Sequence, residues 1–424
     1  MQHRGQEGAG IAAISDNIIT CHKNRGLVSE VFSGNALDRL KSRVAVGHCL
    51  YSNSGNNTGE NIQPVITEYL TGRIATVHDG NLINAKELKD ELMTYGIAFT
   101  GTSDSEIISK LIAYHCTKQK NVVDGIKIAA ELLKGAFSLI VLSTENNKLI
   151  TVRDSSGFRP LCIGRNESGV AVASESCALD TCGFDFVRDI KPGEVVVVEN
   201  GEITYEEIII TPKIKNAGTC IFEYVYIARP DSFIDNQSVY KARVNMGKIL
   251  AKESPVKADI VCGAPDTGLE SAIGYSEESG IPSLPGLIRN RYIGRSFIYP
   301  TQSQRENAVK LKFNVLKSNV EGKRIVLVDD SIVRGTSTKI IVSMMKNAGA
   351  KEVHLRIASP PVRYICNYGI DIKNEEDLMA SRMSSEEMRK KIGADSLAYI
   401  SIEGLKEACG KCALPLCTDC FERQ

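Results

Sequence analysis

Along the first half of the chain, short β-branched and apolar runs alternate with turns: Arg73 to Val77, Ser138 to Ser143, Lys148 to Arg153 and Glu194 to Val198. Runs of that length bounded by turn residues predict strands, and with a few helices between them they predict a layered, strand-rich α/β unit. After the polar stretch Thr211-Pro-Lys-Ile-Lys-Asn-Ala-Gly218 the pattern changes. Helical stretches, Ser238 to Lys252 and Gly268 to Ser279, now alternate with buried-strand runs at Asp259 to Cys262, Ile325 to Val328 and Val353 to Ala358. That alternation predicts a doubly wound, mostly parallel sheet, whose ligands sit beyond the carboxyl ends of its strands. The joint therefore divides the chain into units 1–212 and 219–424.

One strand end carries the densest chemistry. The apolar run Ile325 to Val328 delivers two adjacent carboxylates, Asp329 and Asp330, and the loop Ser331-Ile-Val-Arg-Gly-Thr336 then opens a helix from Ser337 to about Ala348, ended by Asn347-Ala-Gly349. Backbone N–H groups at a helix start, with hydroxyls beside them, cradle a phosphate, while paired carboxylates suit ribose hydroxyls or a hydrated Mg²⁺. Asp329, Asp330, Ser331, Arg334, Gly335, Thr336 and Ser337 are the candidate sugar-phosphate residues. Thr267 follows the strand ending at Cys262 and sits where a small polar group meets the same ligand or its metal. Arg289, Arg291, Arg295, Lys310 and Lys312 lie in a long polar segment whose charge suits a lid over a leaving diphosphate.

Composition narrows the class. The 424 residues carry 51 basic and 51 acidic side chains, so no net field attracts nucleic acid or an anionic membrane. No apolar run approaches a membrane span and the start lacks a signal-peptide pattern, so the expectation is a cytoplasmic protein. Thirteen cysteines are scattered except for four between Cys409 and Cys420, which reads as metal ligation in a reducing compartment. On spacing alone, Cys409-Gly-Lys-Cys412 and Cys417-Thr-Asp-Cys420 could form a small zinc site.

The wording Leu327-Val-Asp-Asp-Ser-Ile-Val-Arg-Gly-Thr336 resembles the phosphoribosylpyrophosphate (PRPP) loop of type I phosphoribosyltransferases, and in particular that of the glutamine PRPP amidotransferases. Tyr226-Ile-Ala-Arg-Pro-Asp-Ser232, Asn290-Arg-Tyr-Ile-Gly-Arg295 and Ser359-Pro-Pro361 are similar to the same family. The resemblance runs nearly end to end. It implies a layered αββα unit of the N-terminal-nucleophile hydrolase kind followed by a type I phosphoribosyltransferase unit, and a glycosyltransferase of purine synthesis making 5-phosphoribosylamine. It also implies Mg²⁺ at Thr267, Asp329 and Asp330, a homo-oligomer, and purine nucleotides as inhibitors. Bacillus-type members hold a [4Fe–4S] cluster, and this chain offers Cys220, Cys366, Cys417 and Cys420 at the corresponding places.

The first half is similar to class II glutaminases in Met1-Gln-His-Arg-Gly-Gln-Glu-Gly-Ala-Gly10, Ser103-Asp-Ser-Glu106 and Gly157-Phe-Arg-Pro-Leu161. The family's first strand and nucleophilic cysteine are not among these residues, which a misplaced start codon would explain, and the internal Cys21 and Cys49 cannot inherit a role that needs a free α-amine. Where the family reads Gly-His-x-Arg-Tyr, Leu50 replaces the arginine that clamps the glutamine carboxylate, and Asn53 replaces a threonine. Where it reads His-Asn-Gly-Asn, the chain has His78-Asp79-Gly80-Asn81, and an ionised Asp79 offers the oxyanion no donor. His78, Gly80 and Asp104 are the remnant, with Asp104 at the position that binds the glutamine α-amine. The expectation is ammonia-dependent, with glutamine hydrolysis lost. Two other readings share the PRPP loop: a non-catalytic PRPP-binding regulator, and transfer of the phosphoribosyl group to a different amine.

Overall fold

The computed structural model describes residues 1–51, 59–211, 218–290, 311–370, 372 and 374–423. Strands β1 (Gly8–Ser15), β2 (Ile18–Arg25) and β3 (Val44–Leu50) form an antiparallel sheet with β1 in the middle. Next come β4 (Val65–Tyr69), β5 (Gly72–Leu82), β6 (Gly135–Ser143) and β7 (Leu149–Arg153), then a second small sheet of β8 (Cys162–Asn166), β9 (Gly169–Ala173) and β10 (Asp185–Asp189). Strands β11 (Glu194–Glu199) and β12 (Glu202–Ile208) return to the edge of β7, completing a six-stranded sheet ordered β12-β11-β7-β6-β5-β4.

Alternation along these strands makes the layers. From β5, Ile74 faces the helices Asp104–Gln119 and Val122–Leu132, while Ala75 and Val77 pack with Ala12, Ile14 and Val46 of the first small sheet. The second small sheet packs on the same face through Ile163, which joins Val196 of β11. Covered on both faces, β7 is buried at every position, and its polar side chains Thr151 and Arg153 donate to the backbone carbonyls of Leu139 and Arg159.

In the other half, β13 (Thr219–Cys220) and the hairpin β14 (Phe233–Ile234) with β15 (Gln237–Ser238) precede a parallel sheet. That sheet takes β16 (Ile260–Gly263) and, after the antiparallel pair β17 (Leu287–Arg289) and β18 (Phe313–Val315), β19 (Arg324–Asp329), β20 (Glu352–Ile357) and β21 (Ser396–Tyr399), in that spatial order. Val326 and Val328 face the helices Val239–Glu253 and Leu269–Ser279, whereas Ile325 and Leu327 face the helices Thr336–Asn347 and Ser385–Ile392. A last strand, β22 (Leu416–Cys417), pairs in parallel with β13 and sets Cys417 beside Cys220.

Candidate functional site

At the carboxyl end of the parallel sheet, β19 stops at Asp329 and β16 stops at Gly263, so Asp329, Asp330 and Thr267 meet in the groove between them. The Thr267 hydroxyl donates to one oxygen of Asp330, and the Ser331 hydroxyl donates to the other at 2.5 Å. The Asp330 backbone N–H donates to Asp329 at 3.0 Å. Burial pushes both carboxyls up, and for Asp329 the neighbouring Asp330 pushes further. Two desolvated carboxylates and a hydroxyl are hard oxygen donors that a divalent cation would relieve of their repulsion, so the residues fit Mg²⁺.

The loop that follows turns through Gly335 at φ +73°, a left-handed conformation that glycine adopts without strain, and the helix Thr336–Asn347 starts there. Its first-turn N–H groups have no partner within the helix, which makes the loop an anion cradle. Arg334 pairs with Asp377 at 2.7 Å. Arg289 forms an ion pair with Asp266, and the N–H of Asn290 donates to the carbonyl of Lys312 at 2.7 Å, so β17 and β18 bring Arg289 and Lys312 together beside the groove. Arg291, Arg295 and Lys310 lie outside the described residues, as does Asn53.

The candidate glutamine-site residues of the first half are carried by β3, β5 and the start of the helix Asp104–Gln119. Gly80 has φ +144°, and a Cβ there would lie 2.0 Å from the carbonyl oxygen of Ala136, so no side chain fits. Asp104 is buried and accepts from the N–H of Leu82 at 2.8 Å. Leu50 is buried at the end of β3. Burial holds the His48 imidazole down at about 4 and lowers His78 as well, so both are neutral near pH 7. His78 Nδ1 lies 3.4 Å from the Ser105 hydroxyl, and both imidazoles are buried, with the backbone of Ala136 favouring the charged form of His78 and the backbone of His78 favouring that of His48.

Asp79 sits beside them. Burial alone would push its carboxyl up, but Arg159 and then Arg4 hold it well below the usual carboxylate range. Arg4 reaches Asp79 at 3.1 Å, Glu175 at 2.8 Å and both oxygens of Glu223 at 2.8 and 2.9 Å. Arg159 donates to Glu223 at 3.1 Å and lies 4.0 Å from Asp79. Glu175 also accepts from Ser232 at 2.7 Å and from the N–H of Arg229 at 2.9 Å. This ionic lattice joins the two halves, and residue patterning had singled out none of its members except Asp79. The signal available was that Arg4 and Arg159 fall inside the quoted family-like segments, since periodicity carries no mark of a charge that will be buried.

The cysteines separate into two groups. Burial raises the Cys420 thiol, and the thiols of Cys220, Cys366 and Cys417 raise it further, so these four lie within electrostatic reach of one another. Cys417 is pushed up to about 12, again by burial first. Cys412 turns instead toward the Cys409 carbonyl at 3.4 Å and the Tyr224 hydroxyl at 3.7 Å. The two C-x-x-C pairs therefore do not converge on one zinc ion. Among the described residues no group of three or more His, Cys, Asp or Glu is close enough to hold a single metal ion. An iron–sulfur cluster spreads its four thiolates around a larger body than one ion, and an all-thiol donor set is the chemistry it requires.

One continuous cavity of about 1260 Å³ is lined at one end by His48, His78, Asp79 and Asp104 and at the other by Thr267, Asp329, Asp330 and the loop from Ser331 to Thr338. Arg4, Arg159 and Arg243 border it between the two ends.

A family described as "Glutamine amidotransferase domain" matches residues 53–181. Over 99% of its length the chain is 48% identical to the amidophosphoribosyltransferase of Methanocaldococcus jannaschii, covering 91% of that protein. It is 44% identical over 97% of its length to that of Bacillus subtilis, covering 85% of it. The solved B. subtilis glutamine PRPP amidotransferase complexed with ADP and GMP superposes with a TM-score of 0.89 at 42% identity, over 99% of this chain and 91% of that one. A solved structure described as the allosteric regulatory enzyme of purine biosynthesis superposes with a TM-score of 0.90, also at 42% identity, over 99% of this chain and 90% of that one.

Proposed function

The chain belongs to the amidophosphoribosyltransferase family, glycosyltransferases of purine biosynthesis, and from that premise we propose that it forms 5-phosphoribosylamine from PRPP with ammonia, not glutamine, as its nitrogen donor. The observation that carries the donor assignment is Asp79. Its carboxylate, held ionised by Arg159 and Arg4, occupies the position where amide hydrolysis needs a hydrogen-bond donor to a developing oxyanion, and a fixed negative charge there opposes that charge. Leu50 supports the same reading, because a buried alkyl group offers nothing to a substrate carboxylate.

In this reading the units are 1–212 and 219–424, and the second performs the transfer. Thr267, Asp329 and Asp330 hold the Mg²⁺ of Mg–PRPP; the ion neutralises charge on the departing diphosphate. The N–H groups and hydroxyls from Ser331 to Ser337, with Arg334, take the 5-phosphate. Arg289 and Lys312, together with Arg291, Arg295 and Lys310, supply positive charge on the diphosphate side. The cavity gives ammonia a route from the first unit to the anomeric carbon.

Cys220, Cys366, Cys417 and Cys420 are assigned to a [4Fe–4S] cluster that ties β13 to β22 and to the segment carrying Cys366. The solved relative is complexed with ADP and GMP. Purine nucleotides carry the same ribose 5-phosphate that the loop suits, and they are assigned here as competitive inhibitors.

The test follows PRPP consumption with ammonium chloride and with glutamine for the wild type and Asp330→Asn. Turnover with ammonium, none with glutamine, and a loss on the order of 10²-fold in kcat/KM for Asp330→Asn are expected. Glutamine-driven turnover would overturn the donor assignment, and silence with both donors would favour a PRPP-binding regulator.

A further inference from the structure

We propose that Glu270 takes the proton released by the attacking nitrogen as the C1–N bond of 5-phosphoribosylamine forms. The proposal rests on the ammonia-dependent reading above and deepens it by giving that reaction a proton acceptor. Ammonia attacks the anomeric carbon, the C1–N bond forms while the C1–O bond to diphosphate breaks, and the electron pair of the broken bond leaves with the diphosphate. The nitrogen is then positively charged with three hydrogens, and one proton must pass to a base before the neutral amine departs. The cationic side chains on the diphosphate side accept no proton.

Among the described carboxyls of the second half that line the cavity, four have other tasks. Asp329 and Asp330 belong to the metal site, Asp266 pairs with Arg289, and Asp377 pairs with Arg334. Glu270 remains. It is the second residue of the helix Leu269–Ser279, three positions after Thr267, so the strand end that sets Thr267 against Asp330 also fixes where Glu270 stands. Tyr226, Ile227 and Ala228, at the joint between the halves, line the same cavity.

The surroundings of Glu270 hold it without closing it off. Its side chain is 13% exposed, and its Oε2 lies 3.8 Å from Nη1 of Arg243, beyond hydrogen-bond reach. Arg243 cannot swing closer freely, because its Nε donates to the Tyr224 carbonyl at 2.8 Å and its Nη2 to the Ala228 carbonyl at 2.7 Å. The carboxyl also accepts from its own backbone N–H, which leaves most of a carboxylate's lone-pair sites for another donor. Arg243 is within electrostatic reach of both Glu270 and Asp330, so Glu270 stands near the metal acids without being one of them. No other charge competes nearby: β16 carries none, and the pairs Lys248–Glu277 and Lys252–Glu278 lie further along the two packed helices. Burial raises the Glu270 carboxyl and Arg243 opposes it, moving the group from the ordinary glutamate range toward the pH at which a base works best.

The experiment measures PRPP turnover by the full chain at saturating ammonium chloride across about pH 5 to pH 9, with PRPP affinity read separately by equilibrium dialysis. Glu270→Gln keeps the shape and an oxygen toward Arg243 but takes up no proton, so its kcat is expected to fall about 100-fold with PRPP affinity unchanged. The wild-type kcat is expected to fall on the acid side as Glu270 is protonated, at a pH above the ordinary glutamate range, and Glu270→Gln to lack that limb. Glu270→Asp keeps the acid and is expected to keep the limb with a smaller loss of rate; it decides the matter if Glu270→Gln fails to bind PRPP. Loss of kcat and PRPP affinity together in both variants, which a purely structural role gives, would overturn the proposal. So would a wild-type rate and acid limb in Glu270→Gln, which leaves the proton to the departing diphosphate. Wild-type turnover with ammonium keeps the donor reading whatever the variants do. Glutamine-driven turnover overturns that reading but not this one, because ammonia is the attacking species from either source, and a wild type silent with ammonium rejects both.

Discussion

At Asp79 a single oxygen in place of an amide nitrogen changes what the pocket offers a ligand. The side chain occupies the same volume as asparagine, but it is an acceptor only, and its charge recruits Arg4 and Arg159. The departures at Leu50 and Asp79 are legible in the residues because each changes a chemical type at a position with a known task. The company Asp79 keeps was not legible: Arg4, Arg159, Glu175 and Glu223 are buried by the tertiary fold, and charged residues read as surface by default. The lattice has a pH signature. Arg159 and Arg4 hold Asp79, and His3 and Arg4 hold Glu175, well below the ordinary range despite burial. The unfolded chain therefore takes up these protons first, so the stability they contribute is present above about pH 4 and is lost as pH falls toward the folded values. Urea midpoints measured from pH 6 to pH 3 should fall steeply on the acid side, and Asp79→Asn should flatten part of that limb.

Elements place these residues, and here the pattern of the chain was a good guide. The expected strand Ile325 to Val328 is the core of β19, and the helix expected from Ser337 runs Thr336–Asn347 with Gly349 beyond it at φ +92°. Apolar character on both faces was enough, because a parallel strand between helix layers has no polar face to show. The turn at Gly335 is where local conformation and binding meet: a Cβ there would lie in a φ-positive backbone and 2.6 Å from the Met379 sulfur. Gly335→Ala is expected to cost about 1–3 kcal/mol of stability and to raise KM for PRPP more than it lowers kcat, read from steady-state kinetics and a denaturant curve. The pairing of β13 with β22 is the opposite case. Two-residue strands nearly two hundred positions apart carry no periodicity to detect, yet they bring Cys220 to Cys417. For the cluster assignment, Cys366→Ser purified without oxygen should lose the visible iron–sulfur absorbance of the wild type, whereas Cys409→Ser should keep it.

For the whole molecule, the two halves meet through buried charge. Arg153 of β7 forms a two-pronged pair with Asp235 at 3.0 and 3.1 Å, Arg4 and Arg159 reach Glu223, and the N–H of Cys220 donates to the Phe158 carbonyl at 3.1 Å. The side chains of Glu175 and Glu223 are fully buried, so removing Arg4 leaves Glu223 with Arg159 alone and Glu175 with His3 and neutral donors. Arg4→Met is expected to destabilise the protein by about 3–5 kcal/mol, and calorimetry should resolve one transition in the wild type but two when Arg4→Met is combined with Arg153→Leu. Strand alternation, the glycine-bearing phosphate loop and the altered glutamine pocket were set by the residues themselves, because they depend on neighbours within a few positions along the chain. The ionic lattice, the grouping of Cys220, Cys366, Cys417 and Cys420 apart from Cys409 and Cys412, and the cavity linking the two ends were decided by the tertiary structure alone. Each joins residues far apart in sequence, and what neutralises a buried charge or faces a buried thiol exists only once the layers have packed.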